Sequence, residues 1–307
     1  MKLTRRTLLK GAGAGLALSA TGAPVWAANE LEFGAMKLQT FSDGFLTLPA
    51  DFIFAPMPKD ELAPILARHG VSPDEPLHSV LNVTLLQDGD NLILFDTGSG
   101  PAFQRSAGEL GSALEAAGID PGNVTHVVFT HAHPDHLWGV LDDFDDPYFY
   151  EAQHMMGRAE WDYWFNPETV NTITEARTTM AVGARRRMET IEDAITFFDD
   201  GDEVLPGILA RATYGHTPGH MSFELRSGSE SVMVLGDAIT TPHVSFERPG
   251  WEAGSDQDPT TAAATRVRLL DQLTNEQMAI VGYHLPDGGI GRAERNGDIY
   301  RFVPQGS

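Results

Sequence analysis

Thr130-His131-Ala132-His133-Pro134-Asp135-His136 places three imidazoles and one carboxylate within six residues. A divalent cation such as zinc is held by neutral imidazole nitrogen and carboxylate oxygen at close range. The stretch directly follows Thr125-His126-Val127-Val128-Phe129, whose branched apolar residues read as a buried strand. A tight loop at a strand end can aim His131 and His133 at one ion and turn Asp135 and His136 toward another. Pro134 stiffens that loop by fixing its φ angle. A polar loop with chance histidines would have to draw three of the chain's 11 into this HxHxDH order. The stretch is read as a metal site.

Other candidate ligands stand at the ends of further strand-like runs. Leu92–Phe95 ends in Asp96-Thr97-Gly98, and Ile208–Thr213 leads into Gly215-His216-Thr217-Pro218-Gly219-His220. Ser231–Leu235 closes on Gly236-Asp237, and Met278-Ala279-Ile280-Val281-Gly282-Tyr283-His284 is expected to be a strand with a histidine at its tip. Met36–Phe41 and Phe45–Leu48 around Ser42-Asp43-Gly44 read as a hairpin, as do Leu81–Leu86 and Leu92–Phe95, and the runs Phe223–Leu225 and Ser231–Leu235. Pro147–Tyr150 is expected to be a strand. Helical spacing is predicted over Ser106–Ala117, Gly157–Ile195 and Thr260–Leu273. In the second of these, Trp161, Tyr163, Trp164 and Phe165 read as core, with a lid that some of the rings line as the alternative, and Arg185-Arg186-Arg187 as a solvated face. The proline-rich stretch Pro49–Pro76 is too long for a plain connection and is expected to wrap over a pocket mouth. Two β-rich halves with helices between them imply two sheets face to face, helices outside, in one domain.

Residues 1–27 stand apart. Lys2, Arg5, Arg6 and Lys10 precede a short apolar run, and Val25-Trp26-Ala27 resembles a small-residue cleavage site. Thr4-Arg5-Arg6-Thr7-Leu8-Leu9-Lys10 resembles a twin-arginine export signal. The apolar run is too short for a span of about 20 residues, so no membrane anchor is expected after cleavage. The expectation is a leader over 1–27, a catalytic domain over 28–307 and a periplasmic location. Losing the leader's four basic residues takes the net charge from −22 to −26. So acidic a chain repels nucleic acid and anionic lipid, which argues against a nuclease. Without any cysteine, neither a disulfide nor a thiolate ligand exists, and core packing and metals must hold an exported protein together.

HxHxDH, then Gly-His-Thr-Pro-Gly-His, Gly-Asp and a late histidine together resemble the metallo-β-lactamase-fold hydrolases, over nearly all of the chain after the leader. The resemblance implies an α/β four-layer αββα sandwich with two divalent ions, zinc by expectation, in a cleft between the sheets. By motif position His131, His133 and His216 hold one ion, Asp135, His136 and His284 the other, and Asp237 bridges both. It also implies that Asp96 supports the metal loop, and His220 is read as a support rather than a ligand. Two cations sharing a water make hydroxide available near neutral pH. Asp135 and Asp237 are then the catalytic carboxylates.

Within the family, Asp237 in the bridging position and the lack of cysteine separate the chain from β-lactamases proper. Export disfavours glyoxalase II and transfer-RNA-processing relatives. The early Phe41-Ser42-Asp43-Gly44, the Gly215–His220 stretch and the tail, Gly289-Ile290-Gly291 with Tyr300-Arg301-Phe302-Val303-Pro304, resemble the methyl parathion hydrolase and exported lactonase-like branch. Trp138 stands where many relatives have glycine, which implies a more crowded pocket floor, and Thr240 where many lactonases carry tyrosine. The implied substrate is a small ester or lactone of the N-acyl-homoserine type, with organophosphate triesters as a further class and a homodimer admitted as the assembly. The alternative is a mononuclear iron sulfur dioxygenase-like oxidoreductase of the same fold.

Overall fold

The computed structural model describes residues 29–306, so the leader expected over 1–27 lies outside the described residues. Two seven-stranded mixed sheets follow one another along the chain. The first is built in chain order from β1 (Asn29–Phe33), β2 (Met36–Leu48), β3 (Leu77–Asp88), β4 (Asn91–Phe95), β5 (His126–Phe129), β6 (Gln153–Gly157) and β7 (Ile195–Phe198). The second comprises β8 (Glu203–Leu205), β9 (Ile208–Ala212), β10 (Met221–Ser227), β11 (Glu230–Val234), β12 (Ala279–Val281), β13 (Ile290–Asn296) and β14 (Ile299–Pro304). The pairs β4–β5, β5–β6, β6–β7 and β11–β12 are parallel and the others antiparallel.

Strand alternation explains the layering. Successive side chains point to opposite faces, so a strand apolar at every position must be covered on both. Ile93, Phe95, Val128, Phe223, Leu225, Val232, Val234 and Val281 share one core between the sheets. The intervening Leu94, Val127 and Phe129 join a second core, under α3 (Leu110–Ala116), α4 (Pro134–Leu137), α5 (Arg158–Phe165), α6 (Thr169–Thr172) and α7 (Thr178–Ile191). Met233 and Ile280 face a third, under α8 (Val244–Glu247) and α9 (Pro259–Glu276). Helices, sheet, sheet and helices form the expected αββα sandwich.

The stretch after β2 folds into α1 (Ala50–Phe54) and α2 (Lys59–Arg68) and packs its own small core on Val244 and Ala253. As expected, it covers one side of the cavity described below.

Four expectations for the elements are corrected. Ser42-Asp43-Gly44 is not a hairpin turn: β2 runs through it, paired with β3, with a register shift between Ser42 and Phe45. The bulge turns Asp43 inward, where its carboxylate accepts the Ser99 and Leu110 N–H groups at 2.7 and 2.9 Å. Gly44, at φ +92°, has no room for a side chain, because a Cβ would collide with the Ser106 carbonyl. Pro147–Tyr150 is not a strand, since Asp142 closes a turn by accepting the Phe144 and Asp146 N–H groups and only a bridge at Pro147 remains. The span 157–195 is not one helix. Asn166 precedes Pro167 and is forced extended, which ends α5, and the chain restarts as α6 and then α7. Finally, Arg187 is not on a solvated face, since it is buried, stacks 4.1 Å over the Trp138 ring and donates to the Trp138 carbonyl at 3.1 Å.

Candidate metal centre

Every proposed ligand lies beyond the end of a strand or in the loop between two, so rigid sheets position them. His131, His133, Asp135 and His136 follow β5, His216 lies between β9 and β10, Asp237 follows β11 and His284 follows β12. The structure brings all seven together. His131, His133 and His216 offer nitrogens that converge, with His133 Nδ1 3.1 Å from His131 Nε2 and 2.9 Å from His216 Nε2. Asp135, His136 and His284 form a second triad. Asp237 stands between them: Oδ2 lies 3.2 Å from His216 Nε2 and 3.1 Å from His284 Nε2, and Oδ1 3.1 Å from His136 Nε2.

The hydrogen bonds around these rings decide which nitrogen is left to bind. His136 donates Nδ1–H to Asp96 Oδ2 at 2.7 Å, His216 to Asp256 Oδ1 at 3.0 Å, and His284 to the Val80 carbonyl at 2.9 Å. His131 Nδ1 lies 3.0 Å from the Thr130 hydroxyl, which itself donates to Asp96. In each case the outer nitrogen is engaged and Nε2 presents a lone pair inward, the arrangement by which proteins orient metal-ligating histidines. Two inward atoms, His136 Nε2 and Asp237 Oδ1, face one another at 3.1 Å, and among the described residues neither makes a well-directed hydrogen bond. Such orphans are costly unless a cation joins them. The residues present fit divalent ions of the zinc type.

His220 differs. The Asp237 N–H donates to its Nε2 at 2.8 Å, and its Nδ1 faces the Thr213 hydroxyl at 2.8 Å. Both nitrogens are engaged, so His220 holds the Asp237 backbone in place. Asp96 takes its expected role, accepting Thr130 N–H and Oγ1–H at 2.7 Å each besides His136. It does so from a left-handed backbone, φ +66°, a conformation sparsely populated by residues other than glycine.

The local fields follow from this packing. Burial and neighbouring imidazoles hold His131 and His133 well below the usual imidazole range. Burial also opposes charge on His216, but Asp237 and Asp256 outweigh it and carry its pKa up to about 9. At His136 burial is likewise outweighed, by Asp237, Asp135 and Asp96, and the ring lies well above its usual value. Burial would raise Asp237, yet His284, His136 and His216 hold it well below the carboxylate range.

Sequence reasoning missed several supports. Glu160, buried on α5, accepts Ala132 N–H at 2.9 Å, Thr217 Oγ1–H at 2.7 Å, Gly219 N–H at 3.0 Å and Trp164 Nε1–H at 2.6 Å. Gly219 permits that approach, since a Cβ there would collide with the Glu160 backbone. The available signal was a carboxylate on the apolar face that carries Trp161 and Trp164. Tyr283 donates to the Asp135 carbonyl at 2.6 Å and lies over His136, ring centres 3.9 Å apart. Asp256 and Gln257, the latter 3.2 Å from His133 Nε2, sit in a loop that nothing in the sequence distinguishes.

The centre forms the floor of a cavity of about 500 Å3 whose lining includes His133, Asp135, His216, Asp237 and His284. Its walls include Leu46, Phe52, Phe54, Val71, Phe103 and Met180. Trp164 stays in the core with its ring 5.6 Å from that of His133. Trp138 does not crowd the floor, because it packs beneath Arg187 and beside Phe103 instead. Thr240 does line the cavity, and its hydroxyl is buried with no hydrogen-bond partner among the described residues.

Two sheets carrying a buried double set of histidine and aspartate ligands at one edge of the sandwich define a metal-binding αββα architecture. The profile of the Metallo-beta-lactamase superfamily matches residues 79–284, and the chain belongs to that superfamily. It is 29% identical over 178 residues to N-acyl homoserine lactonase AttM of Azorhizobium caulinodans, a match covering 57% of this chain and 63% of that protein. The chain thus spans less than two thirds of the length of that curated relative. Among solved structures, AidC, a dizinc quorum-quenching lactonase, superposes with a TM-score of 0.85 over 92% of this chain and 98% of its own, at 24% identity. That likeness is one of fold. The hydrolase AbOPH of the beta lactamase superfamily gives a TM-score of 0.85 over the same shares, at 25% identity.

Proposed function

We propose that this chain is a dinuclear metal hydrolase that opens small neutral esters, first among them lactones of the N-acyl-homoserine type, with phosphotriester hydrolysis as a side activity. The observation that carries this reading is Asp237, whose two carboxylate oxygens reach His136 on one side and His216 and His284 on the other. His131, His133 and His216 would hold one ion and Asp135, His136 and His284 the other. When bound, two divalent cations lower the pKa of a shared water and polarise the carbonyl under attack.

The chain's own residues supply the rest. Asp135 lines the cavity floor, where its carboxylate can orient the attacking water and pass a proton to the departing ring oxygen. Leu46, Leu48, Phe52, Phe54 and Phe103 offer an apolar wall for an acyl chain while the polar floor faces the ester. No serine or cysteine nucleophile is needed. The lactonase name of the curated relative supports the substrate class, and the likeness to AbOPH agrees with a hydrolase.

The mononuclear iron reading would leave Asp135, His136 and His284 without work, although the three converge as a set. Metal analysis together with a hydrolysis screen over lactones, aryl esters and phosphotriesters tests the proposal. Two zinc-like ions per chain with lactone turnover are expected. One iron without ester turnover would favour the oxygenase. We also propose that residues 1–27 export the folded chain to the periplasm, on the strength of Arg5, Arg6 and the small-residue site at Ala27.

A further inference from the structure

Arg177, just before α7, lines the cavity together with Phe52, Met180 and His133, and it is buried. A buried guanidinium normally has a carboxylate beside it, because an unpaired buried charge is costly. Among the described residues, no carboxylate oxygen lies within 4.0 Å of Arg177. Asp256 lies near enough to favour the charged form, but its oxygens are committed elsewhere, Oδ2 to Arg266 at 2.9 Å and Oδ1 to His216 at 3.0 Å. Arg177 is instead held by backbone carbonyls: Nη2 donates to Ser255 at 2.7 Å and Gly254 at 3.0 Å, with a longer approach to Asp256. Nη1 reaches the Asp256 carbonyl only at 3.5 Å, and among the described residues Nε has no acceptor. Phe52 covers the cation from the other side, its ring centre 6.0 Å from Cζ.

The guanidinium therefore presents uncommitted donors, and a charge with no carboxylate in contact, to a cavity whose other walls are largely apolar. Its hold on the 254–256 backbone uses mainly one nitrogen, and the remaining donors are what a planar fork offers to a carboxylate. We propose that Arg177 is a second recognition point in this cavity, separate from the metal floor, which binds an anionic oxygen group of the ligand, a carboxylate carried on an aliphatic chain. Such a ligand arises when an ester is hydrolysed to its acid, or arrives as a substrate bearing an acid group beyond the ester. The inference concerns binding and stands whether or not lactones are the substrate turned over.

The test is equilibrium binding by calorimetry to the metal-loaded full chain, with octanoate and octanamide as probes. They share an apolar chain and differ in charge. Wild type is expected to bind octanoate more tightly than octanamide. Arg177→Met is expected to weaken octanoate at least 10-fold while octanamide changes less than 3-fold, and Arg177→Lys to retain part of the preference. Loss of the loop clamp alone would weaken both probes together, and that outcome overturns the proposal. An undiminished preference for octanoate in Arg177→Met does so as well, since the carboxylate would then sit on the metals. If Arg177→Met does not fold, Arg177→Gln and Arg177→Lys decide: equal octanoate affinity in the two means that charge at this position is not what binds.

Discussion

Glu160 Oε2 accepts the Thr217 hydroxyl at 2.7 Å, and through that bond α5 holds the loop that carries His216. The other oxygen, Oε1, accepts the Ala132 N–H between His131 and His133 at 2.9 Å. One buried carboxylate therefore sets the spacing of the two loops that supply the first histidine triad, although it touches no ligand ring.

Glu160→Gln removes the charge and places an NH2 group against at least one N–H donor. The expected cost is about 2–4 kcal/mol of stability, from weakened charge-assisted bonds and a buried unsatisfied donor. Metal content should fall with it, because the histidines no longer converge. Denaturant unfolding with elemental analysis of the same sample checks this. Unchanged stability at full metal content would show that the two loops hold each other without Glu160.

Asp237→Asn keeps the size of the side chain and removes the charge that favours two cations. The ion at Asp135, His136 and His284 should be lost first, since His131, His133 and His216 can still hold the other. Turnover of a lactone is expected to drop at least ~100-fold, equivalent to ~2.7 kcal/mol of transition-state stabilisation. Two metals retained with near-normal turnover would remove Asp237 from the bridging role. One metal with near-normal turnover would make the chemistry mononuclear.

His154, on β6, is buried outside the metal centre, and its Nε2 has no hydrogen-bond partner among the described residues. Burial pushes its pKa down to about 4 from 6.5, so below pH 6.5 the unfolded chain takes the proton first. Its contribution is present in full above that pH and lost as pH falls toward 4, up to about 3 kcal/mol. His154→Leu should flatten the pH dependence of unfolding in that window relative to the parent chain. Parallel curves for the two proteins between pH 7 and pH 4.5 would discount the burial argument.

Export depends on Arg5 and Arg6 as a pair if a twin-arginine receptor reads them. Changing both to lysine preserves charge and should retain the protein in the cytoplasm. Fractionation showing normal periplasmic yield would sink the leader assignment.

The candidate ligands and the layering were legible in the sequence by itself, the first through short motifs and the family resemblance they carry, the second through strand periodicity. HxHxDH, Gly215–His220, Asp237 and His284 are short runs at strand ends, and strand periodicity states which face of each run is buried. Tertiary structure alone decided what surrounds them. Asp43 looked like a turn residue because Ser-Asp-Gly favours turns, yet pairing along β3 kept β2 extended and drove the carboxylate inward. The 157–195 segment looked like one helix because its spacing is helical on either side of Pro167, although that proline is itself a local signal for the break after α5. Arg187, which the sequence alone placed on a solvated face, and Arg177, Glu160 and Asp256, which it left unassigned, are charged residues in the interior. Each is buried because partners 40 to 80 positions away supply donors, acceptors or an aromatic face, as Trp138 does for Arg187, the 254–256 carbonyls for Arg177, Thr217 for Glu160 and His216 for Asp256. No local rule carries information over that distance, whereas desolvation in the assembled core rewards only the pairings that are complete.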